Sequence, residues 1–92
     1  MREEVWKDII GFDEYRVSDW GNVIRHTTGY IPHNNPKGYE TVKLWKYDRY
    51  YYKKVHRLVA ETFLDNPNEL PYVRHKNGNH LDNRAINLEF YE

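Results

Sequence analysis

Apolar residues along this chain recur at two spacings. Over most of its length they alternate with polar ones, as in a strand with one buried face, and over one short stretch they fall at helical intervals. Residues 4–10 (EVWKDII) and 15–18 predict two strands, with residues 11–14 as the bend between them. Trp20, Gly21 and Asn22 predict a tight turn, because Gly and Asn tolerate positive φ, and residues 23–26 continue as a third strand. Residues 27–38 (TTGYIPHNNPKG) hold two prolines, two glycines and paired asparagines, and read as an irregular loop too short to separate domains. In residues 39–45 (YETVKLW), Tyr39, Thr41, Lys43 and Trp45 share one face, and Glu40, Val42 and Leu44 share the other. A turn over residues 46–49 leads to residues 50–55 (YYYKKV) as the partner strand. Residues 56–64 (HRLVAETFL) place Leu58, Val59, Thr62 and Phe63 on one helical face, and Asp65, Asn66 and Pro67 end the helix. The remainder predicts a strand ending near His75, a polar loop through Gly78 and Asp82, and a strand over residues 87–91. The expected fold class is α+β: an aromatic-rich antiparallel meander and hairpins with one short helix.

Length and composition bound this picture. Ninety-two residues fit one compact domain, 1–92, burying about 60–65% of the surface of the unfolded chain. Aromatic residues make up 16% of the chain, enough for a small core built of rings. There is no cysteine, which excludes a disulfide framework, a thiolate zinc site and a cysteine nucleophile. Mean hydropathy is −1.01 and apolar runs are only three or four residues long, so neither a membrane span nor a signal peptide is expected. The chain reads as soluble.

Net charge is zero, yet its distribution is uneven. Residues 1–21 and residues 58–92 each carry three basic and six acidic side chains. Residues 22–57 carry eight basic side chains (Arg25, Lys37, Lys43, Lys46, Arg49, Lys53, Lys54 and Arg57) against Glu40 and Asp48. A +6 middle thus lies between two −3 ends, and the composition alone conceals a cationic patch suited to a polyanion.

Residues 73–90 (VRHKNGNHLDNRAINLEF) have few core-forming side chains but sharp punctuation. A histidine closes an apolar run, a loop of Asn and Gly follows, and Asn83 and Asn87 precede an apolar resumption at Leu88 and Phe90. Asn and Asp can hold such a loop simply by bonding their own backbone. The alternative is a site.

Residues 56–63 (HRLVAETF) followed by residues 73–90 resemble the HNH nuclease module of phage and intron homing endonucleases. Residues 5–25 (VWKDIIGFDEYRVSDWGNVIR) resemble the NUMOD4-like module that often precedes it, with its Trp, its Gly-aromatic step and its Val-Ser-x-x-Gly-x-Val turn. On this resemblance residues 4–26 form the NUMOD4-like strand module and residues 39–92 the HNH-like module.

The resemblance implies a ββα-metal, or His-Me finger, fold around one divalent metal, Mg or Mn, that cuts or nicks double-stranded DNA. It makes His75 the general base, Asn87 a strut that ties the loop and helps orient that histidine, and Asn83, with Asn77, a further support; His75, Asn83 and Asn87 are the expected catalytic set. Histidine suits the role because a neutral imidazole is available near pH 7. Arg74 stands where several relatives carry a metal-ligating aspartate, and a guanidinium there can face a phosphate instead. The family's last metal ligand lies on a helix beyond the second strand, and the sequence given stops at Glu92, so the fold is expected to be truncated at that helix and the metal ligands stay unassigned. His80 and His56 are read as solvated or packing histidines, and Asp82, Glu89 and Glu92 as solvated.

The basic block also has two readings. Its lysines can be the solvated face of a hairpin, placed there to prevent edge pairing. Alternatively Arg25, Lys43, Lys46, Arg49, Lys53, Lys54, Arg57 and Arg74 contact DNA, interleaved with Tyr47, Tyr50, Tyr51 and Tyr52 on a ribbon that fits a groove. Trp6 and Trp20 are assigned to the core. The expected function is an HNH-type, metal-dependent DNA endonuclease or nickase. Its alternatives are an incomplete HNH-like DNA-binding module, or a phage-type accessory protein that binds a protein partner or a second chain. No membrane partner is expected, and the resemblance places the protein in the cytoplasm of a phage-infected bacterium.

Overall fold

Alternation in the first thirty residues produces a four-stranded antiparallel meander of β1 (Trp6–Ile9), β2 (Phe12–Ser18), β3 (Val23–Arg25) and β4 (Gly29–Tyr30). The computed structural model describes residues 3–35 and 38–92, so positions 36 and 37 of the expected loop lie outside the described residues. Two expectations change here. The second strand begins at Phe12, which narrows the bend to the Ile10-Gly11 corner, and Gly11 turns it at φ 86°. The segment read as wholly irregular contributes β4, whose Tyr30 pairs with Ile24 and whose Gly29 pairs with Arg25. A short strand with a Gly and only two partners leaves too little alternation to be seen in sequence.

The second sheet is the hairpin β5 (Thr41–Lys46) and β6 (Arg49–Lys54), closed by the two-residue turn Tyr47 and Asp48, with Tyr47 at φ 56°. Its expected faces are as observed: Val42 and Leu44 are fully buried, whereas Lys43 and Trp45 lie on the opposite face. Tyr15 of β2, itself buried, accepts the Trp45 backbone N–H through its hydroxyl at 2.8 Å and so joins the first sheet to the hairpin.

Helix α1 (Val55–Phe63) follows β6 without a linker. Val55, Leu58 and Val59 repeat at helical spacing and are buried, with His56 and Ala60 beside them. The Val55 N–H is satisfied by the Glu40 carbonyl at 2.9 Å, since Lys54 at the cap position makes no side-chain bond. Leu64 N–H bonds the Ala60 carbonyl at 3.0 Å, and Pro67 lies just beyond. The helix touches strands of all three sheets, the third being the hairpin β7 (Tyr72–His75) and β8 (Leu88–Tyr91). A 3₁₀ turn, Ala85–Asn87, leads into β8, one residue later than the sequence suggested.

The core therefore gathers one residue set from each layer: Ile9, Tyr15, Val17 and Val23; Val42 and Leu44; Val55, Leu58 and Val59; Ala85 and Leu88. Each fully buried Val or Leu contributes about 1.5–3 kcal/mol. Trp20 does not belong to it. It is 47% exposed, because the turn that needs Gly21 at φ 91° directs it outward, and Trp6 is only half-buried. Among the described residues no helix is long and apolar enough to cross a membrane.

Candidate active site

His75 ends β7, where its strand parity and pairing with Leu88 turn it inward, and it is 8% exposed. Its Nε2 lies 2.7 Å from Asn83 Oδ1, and Asn83 Nδ2 donates to Glu40 Oε1 at 2.7 Å. His33 Nδ1 stands 3.5 Å from the same Glu40 oxygen. A chain of four polar side chains thus runs from the end of β7 to the segment that precedes β5.

Asn87 ties the loop between the two strands. Its Oδ1 accepts the Asn77 N–H at 3.1 Å, and its Nδ2 donates to Asn77 Oδ1 at 3.0 Å and to the Asp82 carbonyl at 2.9 Å. Its carbonyl accepts the Lys76 N–H at 2.7 Å, directly after His75. Asn77 and Asn79 also bond the backbone two residues on, at 2.8 and 3.0 Å, so the loop-holding role of Asn is real here.

The first sheet buttresses this loop from beneath. The Asp19 carbonyl accepts the Ala85 N–H at 2.8 Å, and Gly21 faces Asn83 so closely that its absent side chain is a steric requirement. Ser18 Oγ accepts the Trp20 and Asn22 N–H groups at 3.2 and 3.0 Å and fixes the turn that carries Gly21.

Around His75 lie three more rings. His56 is 5.0 Å and His80 5.3 Å from it between centroids, and Tyr39 stacks on His80 at 4.3 Å and 15°. Burial lowers the His56 pKa to about 4, aided by the neighbouring His75, Lys54, Arg57 and His80, so its imidazole is neutral near pH 7. Tyr39, Lys54, His56, Arg57, Tyr72, Val73 and Tyr91 line a shallow pocket of about 210 Å³ there.

Of the acidic residues expected to be solvated, Glu89 and Asp82 also form exposed pairs. Glu89 holds Arg74 at 2.6 Å, because the two face each other across β7 and β8. Asp82 takes Arg84 at 2.7 Å and Asn77 at 3.1 Å, and the Arg84 hydrogen bond holds its carboxyl down at about 2. Glu92 is exposed. Among the described residues no group of three His, Cys, Asp or Glu could hold a metal ion. With Arg74 beside His75 and its guanidinium engaged by Glu89, these residues do not by themselves build the metal site that the resemblance implies.

The basic residues separate by face. Cross-strand partners share a face, so Lys43, Trp45, Tyr50, Tyr52 and Lys54 point outward, whereas Lys46, Arg49 and Lys53 fall on the side of Val42 and Leu44. Lys43 Nζ sits 4.2 Å from the Tyr50 ring centroid and Lys54 Nζ 5.3 Å from that of Tyr39, whereas Lys46 and Lys53 each stand 5.6 Å from Phe12. Arg25 is engaged by Glu14 at 3.2 Å and Arg57 by Glu61 at 3.0 Å and the Pro71 carbonyl at 2.8 Å. The outward face runs through Lys54 and Tyr39 to the histidines.

Glu40, His33 and Gly21 were missed as site residues. Glu40 carried a usable signal, a carboxylate on the same strand face as Val42 and Leu44, where a charge needs a partner.

The NUMOD4 motif model matches residues 4–56. An HNH endonuclease of Acanthamoeba polyphaga mimivirus, L247, is 44% identical over 97% of this chain and 24% of its own length. The DNA endonuclease I-HmuI of Bacillus phage SP01 is 39% identical over 92% of this chain and 51% of its own. A structure described as DNA binding and cleavage by the HNH homing endonuclease I-HmuI superposes with a TM-score of 0.86 at 37% identity, over 94% of this chain and 51% of that one. The chain therefore spans about half the length of I-HmuI and about a quarter of the mimivirus protein. Sequence and fold agree: the chain belongs to the NUMOD4-bearing HNH endonuclease family.

Proposed function

We propose that this chain carries the general base and part of the DNA-contacting surface of an HNH-type endonuclease or nickase acting on double-stranded DNA. The observation that carries the reading is the His75 ring, bonded to Asn83 at 2.7 Å, buried at a strand end beside an outward face of lysines and aromatic rings. His75 takes a proton from water, the water oxygen attacks phosphorus, and the bond to the 3′-oxygen breaks. Asn83 positions the imidazole, and Asn87 holds the loop that follows it.

Lys43 and Lys54 contact phosphates, and Trp45, Tyr50 and Tyr52 supply hydrogen bonds and apolar contact to sugars. Arg25, Arg57 and Arg74 already have partners within the chain and would have to exchange them for phosphate. Cleavage of this type calls for a divalent cation, Mg²⁺ or Mn²⁺, whose full ligand set the described residues do not supply.

Arg74, held by Glu89 directly beside His75, favours one second reading, an HNH-like module that binds DNA without cutting it. Incubation with supercoiled plasmid and Mg²⁺ or Mn²⁺ separates the two. Conversion to the relaxed form that stops with EDTA supports cleavage; salt-sensitive, EDTA-insensitive binding with no relaxation supports the binding module.

A further inference from the structure

We propose that Glu40 is a positioning residue for the general base: acting through the Asn83 amide, it holds neutral His75 in the tautomer with hydrogen on Nε2 and leaves Nδ1 as the basic nitrogen. The proposal rests on the reading of His75 as the base.

Which atoms can donate decides the tautomer. A carboxylate only accepts, so the amide group 2.7 Å from Glu40 Oε1 must present its NH₂ to it. The other end of the same amide is then its carbonyl oxygen, which also only accepts. That oxygen lies 2.7 Å from His75 Nε2, so Nε2 must carry hydrogen. A neutral imidazole has one N–H, and Nδ1 is left with the lone pair. Were the amide free to turn over, its NH₂ would face Nε2 and select the opposite tautomer, leaving the lone pair on the nitrogen that Asn83 occupies.

Three features make Glu40 suited to this task. Its carboxylate is one-quarter exposed, so the hydrogen bond to Asn83 is only partly diluted by water. Its backbone is held on both sides: the Glu40 carbonyl accepts the Val55 N–H at 2.9 Å, and the adjacent Thr41 exchanges hydrogen bonds with Asn34 at 2.7 and 2.9 Å. Asn83 is 3% exposed and backed by Gly21, which leaves its side chain little room to relocate. Glu40 lies within the NUMOD4 match and Asn83 beyond it, so one segment orients the base carried by the other.

The test is long-range ¹H–¹⁵N correlation NMR on ¹⁵N-histidine-labelled full chain, at a pH where His75 is neutral, with His75→Gln to assign its signals. The expected result is a hydrogen-bearing Nε2 and a lone-pair Nδ1 in the wild type. Glu40→Ala should give a mixture of tautomers, and Glu40→Gln, whose amide oxygen can still accept from Asn83, should restore most of the wild-type pattern. Plasmid nicking should fall in proportion to the lost Nε2–H fraction, with the DNA concentration for half-maximal rate unchanged. A wild type with hydrogen on Nδ1, or a folded Glu40→Ala protein with an unchanged tautomer, would overturn the proposal; the wild-type and Glu40→Gln spectra decide it if the alanine variant does not fold. If His75→Gln nicks as fast as wild type while the tautomer follows Glu40, the reading of His75 as the base fails and the orienting of the ring stands.

Discussion

Gly21 lies so close to Asn83 that a β-carbon on it would stand 2.9 Å from Asn83 Cβ and 3.1 Å from the Asn83 carbonyl oxygen. The turn of the first sheet therefore sets the position of the residue that bonds His75. A glycine that a local reading assigns to turn chemistry, at φ 91°, also serves a contact with a residue sixty-two positions away.

Gly21→Ala should destabilise the protein by about 2–4 kcal/mol, combining the left-handed backbone penalty with overpacking against Asn83. Gly11→Ala is the matched control. Gly11 has φ 86° and open space around it, so only the backbone penalty of about 1–2 kcal/mol applies. Urea denaturation of the two variants checks the difference, and equal losses would remove the steric role of Gly21.

His56 gives a pH dependence with a definite sign. Its pKa is lowered from 6.5 to about 4, so the folded state binds its proton less readily than the unfolded state. Stability from this group is fully present above pH 6.5 and is lost as pH falls from 6.5 toward 4, by on the order of 2–3 kcal/mol. Urea titrations at pH 7 and pH 4.5 should show a smaller loss in His56→Gln than in wild type. An identical loss in both would mean that His56 is not held neutral by the fold.

The two faces of the β5–β6 hairpin should differ in DNA affinity. Lys43→Gln with Lys54→Gln should weaken binding to a duplex and lower the salt slope by about 2. Lys46→Gln with Lys53→Gln, on the Phe12 side, should leave the slope nearly unchanged. Fluorescence anisotropy across a salt series checks this, and equal slopes for the two pairs would contradict an outward-facing interface.

Tyr15→Phe should cost about 1–3 kcal/mol although it removes only one oxygen, because the Trp45 N–H then loses its acceptor at a partly buried position. Thermal unfolding compared with Tyr52→Phe, whose ring is exposed, is the measurement.

These relationships also show what was legible in the chain. The alternation of Val42 and Leu44 with Lys43 and Trp45 marked the hairpin and both its faces, and Leu58 with Val59 marked the helix, because these patterns repeat within one element. β4 was hidden, since two residues cannot display a period, and Trp20 was misplaced because a tight turn rather than its hydrophobicity decides where it points. At the site, His75, Asn83 and Asn87 were singled out by the family resemblance, since their local spacing alone left a loop-holding reading open. Their contacts with Glu40, Gly21 and His56 were not legible, because they join segments far apart in sequence; only the position of Glu40 on the face of Val42 and Leu44 marked it as a charge in need of a partner.

Chemical rescue tests the proposed role of His75 as general base most directly. Supercoiled plasmid with Mg²⁺ or Mn²⁺ is treated with wild type, with His75→Ala, and with His75→Ala plus added imidazole at pH 7.5. Wild type should relax the plasmid, His75→Ala should not, and imidazole should restore part of the rate, because a free base can occupy the space left by the ring. Nicking by His75→Ala at the wild-type rate without imidazole, or no relaxation by wild type, would contradict that role.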